Sequence, residues 1–252
     1  MAGTEVRGRL SWRVARVADI AKENPTVRTI VLDCPGWPGH HAGQHIDIRL
    51  TAEDGYQAQR SYSIATPIDG ERVAITVELV DGGEVSPFLV EDLLVDDRIE
   101  VRGPIGGYFI WRETMTNPLC LVGGGSGVVP LMAMMRARLQ SPNRIPVLYL
   151  ASARSAERLI YPDELARIAK VDESVAVVHT LTRSHPPDWK GHTRRVDQEM
   201  LAVPGFSPPN FPDVFVCGPT GFVEHVAGIL VEPGHDPGRS GQSDLDPQEA
   251  DQ

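Results

Sequence analysis

Two apolar runs in this chain end the same way. Leu119 to Val122 leads into Gly123-Gly124-Gly125-Ser126-Gly127, and Val214 to Val216 leads into Cys217-Gly218-Pro219-Thr220-Gly221. A strand that is apolar at every position is buried on both faces, which places it inside a parallel sheet with helices above and below. A helical pattern follows each run, at 131–140 (LMAMMRARLQ) and at 222–232 (FVEHVAGILVE). A glycine-rich turn between strand and helix leaves backbone N–H groups where an anion can rest. Between these units lie a strand at 146–152, a helix at 161–170, a strand at 174–182 and a polar loop. The alternation predicts an α/β doubly wound parallel sheet over residues 113–235.

The first half has another rhythm. Segments 12–20, 27–34, 45–50, 60–66, 73–80 and 98–109 are short, rich in β-branched residues and bounded by turn residues. His45-Ile46-Asp47-Ile48-Arg49-Leu50 alternates polar and apolar positions, as a sheet with one wet face requires. Residues 86–93 (SPFLVEDL) predict one helix with Ser86 as N-cap and Pro87 at its first position. Six strands with one inserted helix predict a small antiparallel β-barrel over residues 1–112. Residues 112–118 predict the hinge, and 252 residues suffice for two domains, each with its own core.

The net charge of −10 argues against nucleic acid or an anionic membrane as the main partner. No apolar stretch approaches the roughly 20 residues a membrane span needs, and no secretory h-region is visible, so the cytoplasm is the expected compartment. Cys34, Cys120 and Cys217 are too few and too far apart for an iron–sulfur cluster or a disulfide framework. His40-His41 reads as a solvated loop, and no metal is expected.

Arg60-Ser61-Tyr62-Ser63 places a guanidinium, a flat ring and two hydroxyls on one strand. With 82–88 (GGEVSPF), 123–130 (GGGSGVVP) and 217–222 (CGPTGF), in that order over roughly residues 10–238, it resembles the ferredoxin–NADP⁺ reductase superfamily. The resemblance implies that Arg60 pairs with the flavin pyrophosphate, Tyr62 stacks on the isoalloxazine and Ser63 bonds near its N5, with Ser61 a further contact. It assigns Gly83, Val85 and Ser86 to the flavin phosphates. It gives Gly124, Gly125, Ser126 and Gly127 to the pyrophosphate of the nicotinamide dinucleotide. Cys217 would lie beside the hydride-donating carbon, with Gly218, Pro219 and Thr220 lining the cofactor and Glu224 within reach. Tyr62, Ser63 and Cys217 form the expected catalytic set.

The first glycine turn is not the dehydrogenase fingerprint, because Val128 stands at its last glycine position and no acid ends the next strand. Ser152 and Arg154 stand there instead, with Arg183 after the following strand. Hydroxyl plus guanidinium suits a 2′-phosphate, so NADPH is expected ahead of NADH. FAD is expected ahead of FMN by analogy with the superfamily alone.

The resemblance fails at the end of the chain. The superfamily closes on one more strand, commonly reading TERFG, whose aromatic covers the flavin. Residues 239–247 (RSGQSDLDP) show neither strand pattern nor aromatic, and 236–252 are expected to be disordered. One back-translation of 239–247 with a single added G reads RVGTERFGP, which suggests a shifted frame. The expected function is an NAD(P)H oxidoreductase passing hydride to flavin and electrons to a separate partner, such as a ferredoxin or an oxygenase. A flavin reductase that releases reduced flavin and a non-catalytic binding remnant stand as alternatives.

Overall fold

The structure, a computed structural model, describes residues 10–206, 212–231 and 240–244. The N-terminal half is a six-stranded antiparallel sheet of β1 (Arg13–Asn24), β2 (Val27–Asp33), β3 (His45–Thr51), β4 (Gln57–Ser63), β5 (Arg72–Glu78) and β6 (Arg98–Ile105). Its order is β4-β3-β6-β1-β2-β5. The edges meet just beyond β4, where Ile64 bridges Ile75 and the Ala65 N–H donates to the Ala74 carbonyl at 2.7 Å. That contact closes the sheet into the expected barrel. Alternation fills it: Ile30, Leu32, Ile46, Ile48, Val73, Ile75 and Val77 are all fully buried inside.

The inserted helix is nearly as long as its sequence suggests. Ser86 and Pro87 are already helical, with the Leu89 N–H on the Val85 carbonyl at 3.1 Å. Phe88–Asp92 continues as a wide turn closed by the Leu93 N–H reaching the Phe88 carbonyl at 2.9 Å. Ser86 thus stands within the helix and no side chain caps it, which corrects the N-cap role expected of Ser86. The Ser86 hydroxyl instead accepts the Val80 N–H at 3.1 Å, because it is buried against the preceding loop.

The C-terminal half alternates as expected: β7 (Leu119–Gly124), α1 (Val128–Gln140), β8 (Val147–Ala153), α2 (Pro162–Val171), β9 (Val175–Leu181), α3 (Gln198–Leu201), β10 (Asp213–Gly218), α4 (Thr220–Val231) and β11 (Ser240–Asp244). The sheet order is β11-β10-β7-β8-β9, parallel throughout. Every residue of β7, β8 and β10 is buried, which explains why, Ser152 and Asp213 apart, their sequences are apolar. α1 begins at Val128, three residues before its apolar pattern, with Pro130 in the first turn, where an amide has no intrahelical partner.

Two expectations for this half are corrected. The loop after β9 contains α3, capped by Asp197, whose carboxylate accepts the Met200 N–H at 3.1 Å. The tail is not without structure, because Ser240–Asp244 runs parallel to β10, with Val214 opposite Ser240 and Gly218 opposite Asp244. A parallel ladder joins main-chain groups, so an outer strand forms without an apolar pattern. The rest of the tail lies outside the described residues.

The barrel and the parallel sheet also share apolar packing. Val27, Ala42, Ala65 and Ala74 of the barrel belong to one buried cluster with Leu131, Met132 and Met135 of α1. A second cluster fills the barrel alone, and a third covers the other face of the parallel sheet.

Candidate functional site

Both glycine-rich turns emerge where the sheet order reverses. β7 and β10 are neighbours, paired from Leu119 opposite Asp213 to Gly123 opposite Cys217, so their exits lie side by side. Missing side chains allow the close approach. A Cβ on Gly127 would land on the Cys217 carbonyl, although Gly127 has an ordinary helical φ of −59°. Bulk, not backbone conformation, demands glycine there. A Cβ on Gly124 would lie 2.9 Å from the Phe222 ring, and one on Gly218 would lie 2.8 Å from it. Phe222 is thus wedged between the turns. Gly125 does need conformational freedom, with φ at +56°.

These turns form one wall of a cleft of about 640 Å³. Gly124, Gly125 and Ser126 line it from the first turn, and Pro219, Gly221 and Phe222 from the second. The barrel supplies the facing wall through Ser61, Tyr62 and Ser63 of β4, Thr76 and Glu78 of β5, and Ser86. Ser152 and Arg154 extend the cleft at the end of β8.

Arg60 lies beside this wall, 5% exposed, on the inward side of β4. Its guanidinium donates to the Gln59 carbonyl at 2.7 Å and to the Glu84 carboxylate at 2.8 Å. The Tyr56 hydroxyl donates to the other Glu84 oxygen at 2.7 Å. Together, Tyr56 first and then Arg60, they hold the Glu84 carboxyl below the usual range. The guanidinium fork therefore already carries an oxyanion. Ser61 is differently committed: its hydroxyl donates to Asp47 at 2.6 Å, and Asp47 also accepts both Nε and Nη2 of Arg102, at 3.1 and 2.6 Å.

Sequence comparison agrees with this geometry. Residues 16–110 match the oxidoreductase FAD-binding domain, and residues 121–228 match the oxidoreductase NAD-binding domain. The chain belongs to the ferredoxin–NADP⁺ reductase superfamily. It is 26% identical over 224 residues to the reductase component of propane 2-monooxygenase from Rhodococcus jostii, covering 86% of this chain and 58% of that one. It is 28% identical over 233 residues to the glycine betaine monooxygenase reductase subunit of Pseudomonas aeruginosa, covering 90% and 62%. The chain thus spans about three fifths of the length of these relatives. Its fold matches the FAD/NAD-binding domain of a nitric oxide dioxygenase from Vibrio cholerae at a TM-score of 0.80, with 24% identity and coverage of 93% and 99%. It matches a cytochrome P450 reductase of Amycolatopsis at a TM-score of 0.81, with 25% identity and coverage of 97% and 74%.

The superfamily fold does not bring every expected residue onto the cleft wall. Among the described residues, Ser61, Tyr62, Ser63, Ser86, Gly124, Gly125, Ser126, Ser152, Arg154 and Pro219 line it. Cys217 is fully buried at the end of β10, and Val85 is fully buried in the barrel. Gly83, Gly127, Gly218 and Thr220 flank the wall, and Glu224 is exposed on α4. Arg183 is exposed outside the wall, its main-chain N–H bound to the Arg154 carbonyl at 3.0 Å.

The cleft also holds residues that sequence reasoning missed. Arg195 lines it from the loop before α3, where no periodic pattern marks it. Arg158 lines it too, donating to the Thr26 hydroxyl at 3.0 Å and standing 3.8 Å from Glu78, both on the barrel. No described helix is long and apolar enough to cross a membrane.

The donor set fits FAD and a nicotinamide dinucleotide. A buried arginine fork holding a carboxylate is chemically suited to phosphate oxygens. Glycine-rich turns at two helix starts suit a pyrophosphate.

Proposed function

We propose that this chain is an FAD-dependent NAD(P)H oxidoreductase that passes hydride from nicotinamide to flavin and delivers electrons to a separate redox partner. One observation carries the reading: the Tyr62–Ser63 strand end and both glycine turns face each other across a single cleft. When bound, FAD supplies the hydride-accepting ring and the dinucleotide supplies the hydride. The protein's task is then placement. Arg60 holds the flavin phosphates in exchange for Glu84, Tyr62 offers its ring as a platform, and Ser63 offers its hydroxyl to the reacting edge. Gly124 to Gly127 and Gly218 to Thr220 seat the dinucleotide. Buried Cys217 closes the floor behind the turns as a packed thiol, and is not a nucleophile.

The relatives named as monooxygenase reductase components support an oxygenase as the partner, and a ferredoxin partner and a cytoplasmic location are kept as parts of the proposal. Ser152 and Arg154, with Arg195 added, support NADPH ahead of NADH. The test is the visible spectrum of the purified protein, followed by anaerobic addition of each dinucleotide. A yellow protein bleached faster by NADPH is expected. Faster bleaching by NADH overturns the donor preference. A colourless protein that takes up no added FAD overturns the function. Flavin lost on dilution and turned over as a saturable substrate marks a flavin reductase, and binding without bleaching marks a remnant.

A further inference from the structure

The point where the barrel closes is also the point where the parallel sheet grips it. Ile64 and Ala65 follow directly on Ser63, and they close the barrel on Ile75 and Ala74. Arg136 of α1 donates from Nη1 to the Ala65 carbonyl at 2.7 Å. The same guanidinium holds Glu164 of α2 through two bonds of 2.9 and 2.6 Å, and lies over the Tyr161 ring, 4.7 Å from its centre. Tyr161, just ahead of α2, is 3% exposed and donates its hydroxyl to Thr76 of β5, the residue after Ile75. Thr76 in turn shares a 2.7 Å hydrogen bond with Thr29, whose hydroxyl donates to Glu23 at 2.6 Å. Thr76 lines the cleft.

Two features mark this cluster as more than packing. Tyr161 holds φ at +60°, a left-handed conformation that strains a non-glycine residue and persists only where its surroundings over-determine it. And the helix that carries Arg136 is the one that starts at the first glycine turn. A single side chain therefore ties the helix behind the dinucleotide turn to the main chain two residues past Ser63.

We propose that Arg136 and Tyr161 are positioning residues for hydride transfer, fixing the separation between the turn that seats the dinucleotide and the strand that seats the flavin. This rests on the oxidoreductase reading above. Neither residue lines the cleft, so neither is expected to hold a cofactor.

The test compares the flavin-loaded wild-type protein with Arg136→Met, Arg136→Lys, Tyr161→Phe and Thr76→Val. Three readouts are taken: the anaerobic bleaching rate at saturating NADPH, the long-wavelength charge-transfer absorbance of the nicotinamide–flavin pair, and a spin-label distance across the seam. Labels go on Asp54→Cys of the barrel and Glu173→Cys before β9, both exposed, since the native cysteines are buried. For Arg136→Met, bleaching is expected to slow by about ten- to a hundred-fold, as a misplacement near 1 Å would cause. Its charge-transfer band weakens and its distance distribution broadens, while flavin content and NADPH affinity stay within about two-fold. Arg136→Lys, which keeps one donor for Ala65, restores part of all three. Tyr161→Phe and Thr76→Val shift the same readouts less, and they carry the test should Arg136→Met not fold. Wild-type values of all three readouts in the folded variants overturn the proposal. So does a uniform loss of flavin without broadening. If the wild-type protein itself is not bleached, the oxidoreductase reading fails, and the distance distributions alone decide whether the clamp exists.

Discussion

Under the proposed function, Arg60 is both prepared and obstructed. Its guanidinium is held near the cleft by the Gln59 carbonyl, yet its fork is shared with Glu84, which Tyr56 steadies. A flavin phosphate arriving there must displace a carboxylate of the same charge. Glu84→Gln is therefore expected to tighten FAD binding by a factor of roughly two to five, the modest range of partly exposed pairs, with the gain shrinking as salt rises. Fluorescence titration of flavin-free protein at low and high salt checks this, and weaker binding would show that Glu84 supports the site. Arg60, Tyr62 and Ser63 stand out by resemblance and not by alternation, which sends neighbours such as Tyr62 and Ser63 to opposite faces of β4 although both line the cleft. The grip of Glu84 was not legible in the chain, since it depends on a loop returning to β4. Ser61 had the right residue type but spends its hydroxyl on Asp47.

Elements were readable where burial leaves a periodic trace. β7 and β10 announced themselves by being apolar throughout, and their glycines by the approach they permit to Phe222 and Cys217. β11 left no such trace, because main-chain pairing alone is enough to place an outer strand. α3 is a single turn in a polar loop, too short for any period. Helix α1 hides another unforeseen feature, the fully buried Arg138. It donates to the Ile145 carbonyl at 2.9 Å, to Ser174 and to Asp172, which follows α2. Burial pushes the Asp172 carboxyl up, but hydrogen bonds from Arg138 and Ser174 outweigh it and bring the pKa down to about 2. The folded value lies below the unfolded one, near 3.9 for a free aspartate, so the stabilisation is complete above that pH and is lost as pH falls through about 2. Asp172→Asn is expected to cost about 2–4 kcal/mol at pH 7, since it leaves a buried guanidinium unmatched, and the gap to wild type should narrow steadily below pH 4. Urea unfolding from pH 7 to pH 2 measures it. A constant gap would mean that Asp172 contributes through shape alone.

At the scale of the whole molecule, two halves were legible, but not how they are joined. Arg136, Thr76 and Tyr161 are ordinary residues in their own elements, and nothing in a linear pattern brings them together. The shared cluster of Val27, Ala42, Ala65 and Ala74 with α1 has a thermodynamic consequence. Unfolding either half alone would strip apolar cover from the other, so the chain should melt as one cooperative unit. Calorimetry of the flavin-loaded protein is expected to give a single transition, with calorimetric and van't Hoff enthalpies in agreement. Two resolved transitions would show that the seam contributes little.

That seam also constrains how such a chain can be recombined. A barrel taken from one relative and a dinucleotide half from another would meet through alanines and methionines fitted to different partners. Crossovers in the 112–118 segment, the obvious place to cut, should yield poorly joined hybrids unless the donor of α1 also supplies the segments around Ala65 and Ala74. The unit of inheritance here is larger than either sheet.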